Sequence, residues 1–198
     1  MAKLKIYKFP DTVLSNKSDP IVRVETDHHK LADDMLETMY DAPGIGLAAN
    51  QVGILKRLLV LDIDYEVEEE PGKTSLIKNK KPLIVINPRI IHHEGSVVFK
   101  EGCLSVPDFS AEVKRYEKIK VEYQDVDGAL RNISVDGLLA IAFQHEMDHL
   151  DGKLFIDRLN PLKKEMIHKK LRQARETGNQ DLMPGEAALA GEKKKRGL

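Results

Sequence analysis

The sequence has no tryptophan and only one cysteine among its 198 residues. A single cysteine excludes a disulfide within the chain, which fits a reducing compartment and leaves the thiol available for other chemistry. No apolar run approaches the roughly 20 residues that a membrane-spanning helix needs. The N-terminal run MAKLKIYKFP is too short and too polar for a secretory signal. From these features we expect a cytoplasmic protein that does not bind a membrane. The formal net charge of only −1 gives no case for binding DNA.

The overall composition is that of a globular protein, with 41% hydrophobic and 32% charged residues. Its length suits one domain with a short appendage. From Thr177 onward the composition shifts to Gly, Ala, Glu and Lys and includes a KKKR run, which predicts a disordered or loosely helical tail. We therefore divide the chain into a folded domain, residues 1–176, and a polar tail, residues 177–198.

Hydrophobic spacing predicts the secondary structure along most of the chain. A helix is expected from Thr26, as N-cap, to about Asp41, with Gly44 just past its end. The polar residues 65–81 predict a surface hairpin or loop. Strands are predicted at residues 4–10, 58–63, 82–88, 90–99, 118–125 and 130–135, the last two joined by a turn at Asp127 and Gly128.

The most informative stretch is QHEMDHLDG, residues 144–152, which contains H-E-x-x-H as His145, Glu146 and His149. On a helix, residues four apart lie on one face, so both imidazoles can reach one cation. The preceding run LLAIAF is apolar on nearly every side and predicts a buried helix, capped by Asp136. Histidines and a carboxylate at the end of a buried helix need partners. The pattern therefore favours a metal-hydrolase site over a solvated helix end.

A catalytic site of this type needs a third protein ligand besides the two histidines. The metallopeptidase pattern that adds a third histidine is excluded because the corresponding position holds Phe155. Two candidates remain: Glu165 in the following helix, and Cys103 in EGCLSVPDFS. A thiolate is a strong ligand for Fe(II), Zn or Ni, although a lone cysteine beside a glycine is most often a small buried hydrophobe.

A Gly- and Ala-rich stretch, GIGLAANQVG at residues 44–53, predicts an irregular loop whose backbone is approached closely. It lacks the Lys-Ser/Thr ending and the dinucleotide spacing of phosphate-binding loops. Gln51 offers a polar, non-ionisable hydrogen-bond donor from this stretch. A functional role and a plain loop both remain open on composition alone.

GIGLAANQVG, EGCLSVP and QHEMDHLDG, in this order, resemble the three signature motifs of the peptide deformylase family, bacterial type. The likeness covers approximately residues 1–172. It implies an α+β fold in which antiparallel strands pack around a central buried helix carrying HExxH, with a C-terminal helix. It also implies an activity, removal of the formyl group from N-formylmethionine of nascent polypeptides with release of formate.

The resemblance also implies a ligand set and a mechanism. Cys103, His145 and His149 would hold one divalent metal, with Fe(II) favoured and Zn or Ni able to occupy the same site. Glu146 would accept the proton of the attacking water and deliver it to the leaving amine. The developing oxyanion would be met by the metal, the Gln51 side chain and the Leu104 backbone N–H.

Substrate binding is expected from edge-strand pairing of an extended peptide with the backbone near Ile45 and Gly46. Glu101, with Gly102 beside it, is expected to border this site and to orient a ligand or an arginine such as Arg115. The resemblance implies an apolar methionine pocket, and its candidate residues, each equally suited to the core, are Ile45, Phe99, Leu138, Ile141 and Ala142.

Pro161 opens a predicted basic helix from Leu162 to about Arg175. The resemblance suggests that this helix docks at the ribosome, and a solvated amphipathic face is the alternative. Two rival functions are a metallopeptidase that uses Glu165 as its third ligand and a non-catalytic RNA-binding module with a structural metal.

Overall fold

The computed structural model describes residues 2–68 and 76–177, with side chains up to residue 173. The helices within these residues are α1 (Thr26–Asp41), α2 (Gly137–Leu150) and α3 (Pro161–Thr177). The strands are β1 (Gly46–Ala48), β2 (Leu58–Leu61), β3 (Glu66–Glu68), β4 (Leu76–Lys78), β5 (Leu83–Glu94), β6 (Val97–Cys103), β7 (Val106–Arg115), β8 (Lys118–Gln124) and β9 (Leu130–Asp136). Short 3-10 helices cover Thr12–Ser15, Ala49–Val52 and Phe155–Arg158.

A five-stranded antiparallel sheet, in the order β1-β2-β5-β8-β9, separates α1 from α2. Successive residues of β2 point to opposite faces, so Leu58 and Val60 pack in the core with α1 while Leu59 and Leu61 pack in the core with α2. All four are fully buried. Burial on both faces explains why this strand reads as a continuous apolar run.

A second layer forms around the two-stranded sheet of β6 and β7. Its core joins Val106 and Val113 of β7 to Phe155 and Ile156 of the last 3-10 helix and to Leu171 of α3. The pairing of β6 with β7 shifts register between Gly102 and Cys103. This irregularity places Cys103 at the tip of the small sheet, against the layer that contains α2.

The predicted α+β class, with antiparallel sheets and a C-terminal helix, is confirmed. Helix α1 begins at Thr26, but the N-cap residue is Glu25. Asp136 takes the N-cap position of α2 without a side-chain capping hydrogen bond. The surface hairpin appears as β3 paired with β4, and the predicted hairpin near Asp127 as β8 paired with β9.

Three predicted elements are wrong. Residues 4–10 form no strand, because their backbone bonds go to two separate segments: Tyr7 N donates to Gln51 O at 2.7 Å and Phe9 N to Ser105 O at 2.8 Å. The segment 44–53 is not an irregular loop but contains β1 and a 3-10 helix. The predicted strands 82–88 and 90–99 do not match the observed ones, because residues 83–94 form the single strand β5 and residues 97–99 begin β6.

The third error has its origin at Pro88. Strand β5 runs through this proline, and its register against β8 shifts between Ile86 and Arg89. Such an irregularity accommodates a residue that lacks a backbone N–H. Asn87 has a positive φ of 52° and its side chain bonds the backbone of Ile21.

None of the helices within residues 2–68 and 76–177 combines the length and the apolar character that crossing a bilayer requires. The predicted tail covers residues 177–198; Thr177 is the last residue of α3, and residues 178–198 lie outside the described residues.

Candidate metal centre

Helix α2 brings the two histidines of H-E-x-x-H together, with His145 Nε2 3.3 Å from His149 Nε2. The Sγ atom of Cys103 lies 3.1 Å from His149 Nε2. The three potential ligand atoms all lie within 4.8 Å of one another, and Cys103 and His149 are buried. Glu165, the other candidate third ligand, is an exposed residue of α3 outside this group.

The donor set fits a divalent transition metal, because one thiolate and two imidazoles suit Fe(II), Zn and Ni. Burial and the neighbouring His145 hold the pKa of His149 well below its ordinary value. Its imidazole is therefore neutral, the form that ligates a metal. Burial also lowers the pKa of His145, but hydrogen bonds to Cys103 and Glu101 outweigh it and raise that pKa well above the ordinary value.

Glu101 fixes the ring of His145. Its Oε2 lies 2.8 Å from His145 Nδ1, and its carboxylate accepts two bonds from Arg115, at 2.6 and 2.8 Å. Burial raises the pKa of Glu101, but Arg115 and His145 outweigh it and lower that pKa to about 2. An ionised Glu101 favours a proton on Nδ1 of His145, which leaves Nε2 for a metal. Glu101 is expected to orient either a ligand or an arginine, and it contacts both His145 and Arg115.

Gln51 is buried beside the sulfur of Cys103. Its Oε1 accepts from Ala48 N at 2.8 Å, and its Nε2 donates to Ser105 Oγ at 3.1 Å and lies 3.7 Å from Cys103 Sγ. Ser105 N also donates to that sulfur, at 3.4 Å. Two N–H groups thus face Cys103, and such donors stabilise a thiolate.

Glu146 is buried next to the ligand group with its Oε2 atom lacking a hydrogen-bond partner among the described residues. Burial is the main cause that raises its pKa, to about 7. A Cβ atom at Gly46 would stand 2.5 Å from Glu146 Oε1. A glycine is therefore required at position 46 for this carboxylate to take its place.

Sequence reasoning missed Asn50 and Asp148. The Asn50 Nδ2 atom donates to the backbone oxygen of His149, and Asp148 accepts from Arg115. Asn50 is a second carboxamide directly beside Gln51 in GIGLAANQVG, and this adjacency is the sequence signal that points to it. Asp148 lies inside the H-E-x-x-H pattern at a position for which the pattern specifies no residue.

The remaining predicted site residues are buried or half-buried, and they include Leu138 at the opposite end of α2 from His149. Gly46 and Ile141 are buried, and Ala142 belongs to the core between α2 and the sheet. Ile45 is half-buried and packs against both cores that flank the sheet. The other half-buried residues are Phe99 and Gly102 on β6, Leu104, and Leu138 on α2.

A buried Cys-His-His group beside a glutamate, on a helix packed against antiparallel strands, defines a metallohydrolase of the HExxH class. A sequence profile of the family described as polypeptide deformylase matches residues 3–165. The chain belongs to this family, which confirms the resemblance carried by the three motifs. It is accordingly a metal-dependent hydrolase that removes the N-formyl group from N-formylmethionine of newly made polypeptides.

Individual relatives agree with the family profile. The peptide deformylase of Rhizobium meliloti is 49% identical over 169 residues, which cover 85% of this chain and 91% of the relative. Peptide deformylase 2 of Xanthomonas campestris is 47% identical over 178 residues, 88% of this chain and 98% of the relative.

Solved structures agree as well. A Legionella pneumophila peptide deformylase superposes with a TM-score of 0.76 at 39% identity, covering 89% of this chain and 98% of that one. The Ehrlichia chaffeensis enzyme in complex with actinonin gives a TM-score of 0.76 at 39% identity, covering 87% and 98%.

Proposed function

We propose that Cys103, His145 and His149 hold the metal of this deformylase and that the metal is Fe(II), with Zn or Ni able to take the same place. Support comes from the mutual approach of the three donor atoms and from the softness of the thiolate ligand. When bound, the metal supplies a Lewis acid that makes a water molecule nucleophilic at neutral pH.

Glu146 is the proposed acid and base of the reaction. It takes the proton of the attacking water and later delivers it to the leaving amine. The observation that carries this role is its buried carboxylate, whose Oε2 atom has no partner in the described part of the chain and which lies beside His145. A group that must exchange protons with a water cannot have all its oxygens committed to the protein.

Gln51 and Leu104 are the proposed donors to the oxyanion that forms on the formyl oxygen. One N–H of Gln51 Nε2 donates to Ser105 Oγ; the same nitrogen lies 3.7 Å from Cys103 Sγ, so its second N–H is directed toward the edge of the ligand group. An uncharged amide suits this place because an acid would repel the developing negative charge. The backbone N–H of Leu104, next to Cys103, is the second donor.

The substrate is proposed to add to the edge of the sheet at β1, with its backbone paired near Ile45 and Gly46. Strand β1 forms one edge of the five-stranded sheet and leads directly to Gln51. Gly102 and Glu101 border the same site. The methionine side chain then lies in an apolar pocket, for which the proposed residues are Ile45, Phe99, Leu138, Ile141 and Ala142.

Glu146→Gln tests the proposed reaction most directly. The variant should keep its metal and lose about 10²- to 10⁴-fold in formate release, the usual contribution of a positioned acid–base group. Glu165→Gln, on the exposed face of α3, is the matched control and should retain full turnover. Near-parental turnover in Glu146→Gln would exclude the proton-transfer role.

Gln51→Leu tests the oxyanion donor. It should lower turnover by about 10²- to 10³-fold with metal content unchanged, as for the loss of one such donor. An unchanged rate would remove Gln51 from the oxyanion site. Comparing N-formyl peptides with peptides that offer only internal bonds separates deformylation from a peptidase activity.

We also propose that the chain works in the cytoplasm and that α3 docks at the ribosome. Lys163, Lys169, Lys170 and Arg172 are exposed on α3, as are Leu162 and Met166. Lys169→Glu with Arg172→Glu should weaken salt-sensitive binding to ribosomes, whereas Lys118→Glu with Lys120→Glu on β8 should not. Equal binding by both variants would contradict docking through α3.

The domain boundary proposed at residue 176 leaves the polar tail outside the catalytic unit. A chain ending at residue 177 should retain its metal and its turnover. Loss of either would assign the tail to the folded unit.

A further inference from the structure

A row of charged side chains connects His145 to the protein surface. Glu101 bonds His145 and Arg115, as described above. Arg115 then donates from Nη1 to Asp148 Oδ2 at 2.5 Å. Asp148 also accepts from Arg158, through Nε on Oδ2 and through Nη2 on Oδ1 at 2.5 Å. We call Glu101, Arg115, Asp148 and Arg158 the charge row.

The charge row is buried from Asp148 inward and is open to solvent at Arg158. The side chains of Arg115 and Glu101 are 1% and 3% exposed, and that of Asp148 is 8% exposed, whereas that of Arg158 is 42% exposed. Arg158 lies in a surface groove that also contains Lys114 and Lys153. It is therefore the solvent-facing end of a row whose other members are shielded from water.

The charges along the row alternate in sign and balance, with two carboxylates and two guanidinium groups. Buried charges are tolerated when they are paired and fully hydrogen-bonded, and removal of one partner leaves the others uncompensated. Without Arg158, Asp148 and Glu101 would compete for the single guanidinium group of Arg115. Glu101 would then hold the His145 ring with a less neutralised and less constrained carboxylate.

The row also acts on the helix that carries the ligands. Asp148 lies three residues after His145 and directly precedes His149 on α2, and residues three apart share a helix face. Arg115 thus contacts Asp148 on α2 directly and reaches His145 through Glu101. A change at Asp148 is transmitted both through Glu101 and through the helix itself.

We propose that Arg158 is a positioning residue for the metal centre, acting on His145 through Asp148, Arg115 and Glu101. The proposal rests on the proposed role of His145 as a metal ligand. Partners that orient metal-ligating histidines typically affect metal affinity by about 10- to 100-fold when removed. Because Arg158 is the most distant member and is partly exposed, its effect belongs at the lower end of that range.

The test uses the full chain loaded with Co(II), whose visible absorption reports ligand geometry without reliance on turnover. Arg158→Gln should release Co(II) to a chelator about tenfold faster than the parent and should shift the cobalt absorption bands. Arg158→Lys should restore part of both properties, since it returns the charge but not the two-point contact. Lys164→Gln is the matched control, because Lys164 forms a partly exposed ion pair with the nearby Asp157, at 2.7 Å, and is not part of the charge row.

Two outcomes would overturn the proposal. In the first, Arg158→Gln keeps the parental cobalt spectrum and release rate, even if its melting temperature falls, which would make Arg158 an ordinary surface ion pair. In the second, Lys164→Gln changes both readouts as much as Arg158→Gln does. A parental cobalt spectrum in Cys103→Ala would instead contradict the proposed ligand set. This result separates failure of the ligand set from failure of the role proposed for Arg158.

Discussion

The glycine at position 46 is as necessary to the site as any charged group, because its missing side chain leaves the room that Glu146 occupies. A methyl group there would stand 2.5 Å from Oε1, 2.9 Å from Cδ and 2.9 Å from Cγ of that glutamate. Contacts so short on three atoms cannot be relieved by rotating the end of the side chain. The position of the proposed proton carrier therefore depends on a neighbouring strand.

Gly46→Ala should lower turnover by about 100-fold, the cost of displacing a reacting group by roughly 1 Å. Metal content should not change, because Glu146 is not among the ligands. Gly44→Ala is the comparison, since the shortest contact of a Cβ there is the movable Leu104 Cδ1 at 3.0 Å and the next contacts are at 3.5 Å. The loss of turnover in Gly44→Ala should be smaller. Elemental analysis and formate release measure both, and equal turnover in Gly46→Ala and the parent would contradict the steric argument.

Cys103→Ala decides between the two third ligands that the sequence left open. We expect the purified variant to contain little metal, because two imidazoles alone hold a cation weakly. Glu165→Ala should keep a full complement. Full occupancy in Cys103→Ala with loss in Glu165→Ala would reverse the assignment.

Among the elements, the root of the β3–β4 hairpin contacts the chain just before the proposed substrate strand. Tyr65 donates from its hydroxyl to Gly44 O at 2.9 Å, and Asp62 accepts from Tyr40 at 2.7 Å and from Lys81 N at 2.8 Å. Asp62 N also donates to Ile45 O at 3.0 Å. The hairpin is therefore tied to the segment that enters β1.

Tyr65→Phe should reduce the free energy of unfolding by about 1–2 kcal/mol, the usual cost of leaving a buried carbonyl without its donor. The KM for formylated peptides should rise more than kcat falls, because β1 is loosened while the ligand group is untouched. Tyr116→Phe, at a tyrosine that is 40% exposed, should change neither. Denaturant unfolding and steady-state kinetics measure the two effects, and a kcat loss with constant KM would contradict the role assigned to β1.

Elements with a regular period could be predicted from the sequence, and elements defined by distant partners could not. The spacing of His145 and His149 determines their geometry because the helical period is fixed. The pairing of Asn50 with His149 joins residues 99 apart in the chain, and no local pattern records it. The sequence predicts a strand end at Pro88 because proline normally ends a strand, whereas β5 continues through it with a register shift.

At the scale of the whole molecule, the proposed ligands come from two layers that have separate cores. Cys103 belongs to the β6–β7 layer, while the histidines belong to α2, which packs on the five-stranded sheet. A metal held by all three would cross-link these layers. Loss of the metal should therefore weaken the whole fold as well as the reaction.

Removing the metal with a chelator should lower the melting temperature. A ligand present at a hundredfold excess over its Kd, and bound only by the folded state, adds about 2.7 kcal/mol. For a chain of this size that corresponds to roughly 5–10 °C. Calorimetry with and without chelator measures the shift, and Cys103→Ala should show none. An unchanged melting temperature in the parent would place the metal outside the junction of the two layers.

Strand β1 is only three residues long and lies at the sheet edge, which has a consequence for the range of proteins this enzyme can process. Main-chain hydrogen bonds are the same for every amino acid except proline, so a substrate paired with β1 as proposed would be accepted largely without regard to the residues that follow the methionine. Discrimination then falls on the first side chain and its formyl group, the features that newly translated proteins share. Pairing with one short edge strand would thus allow a single enzyme to act on newly made proteins of many different sequences.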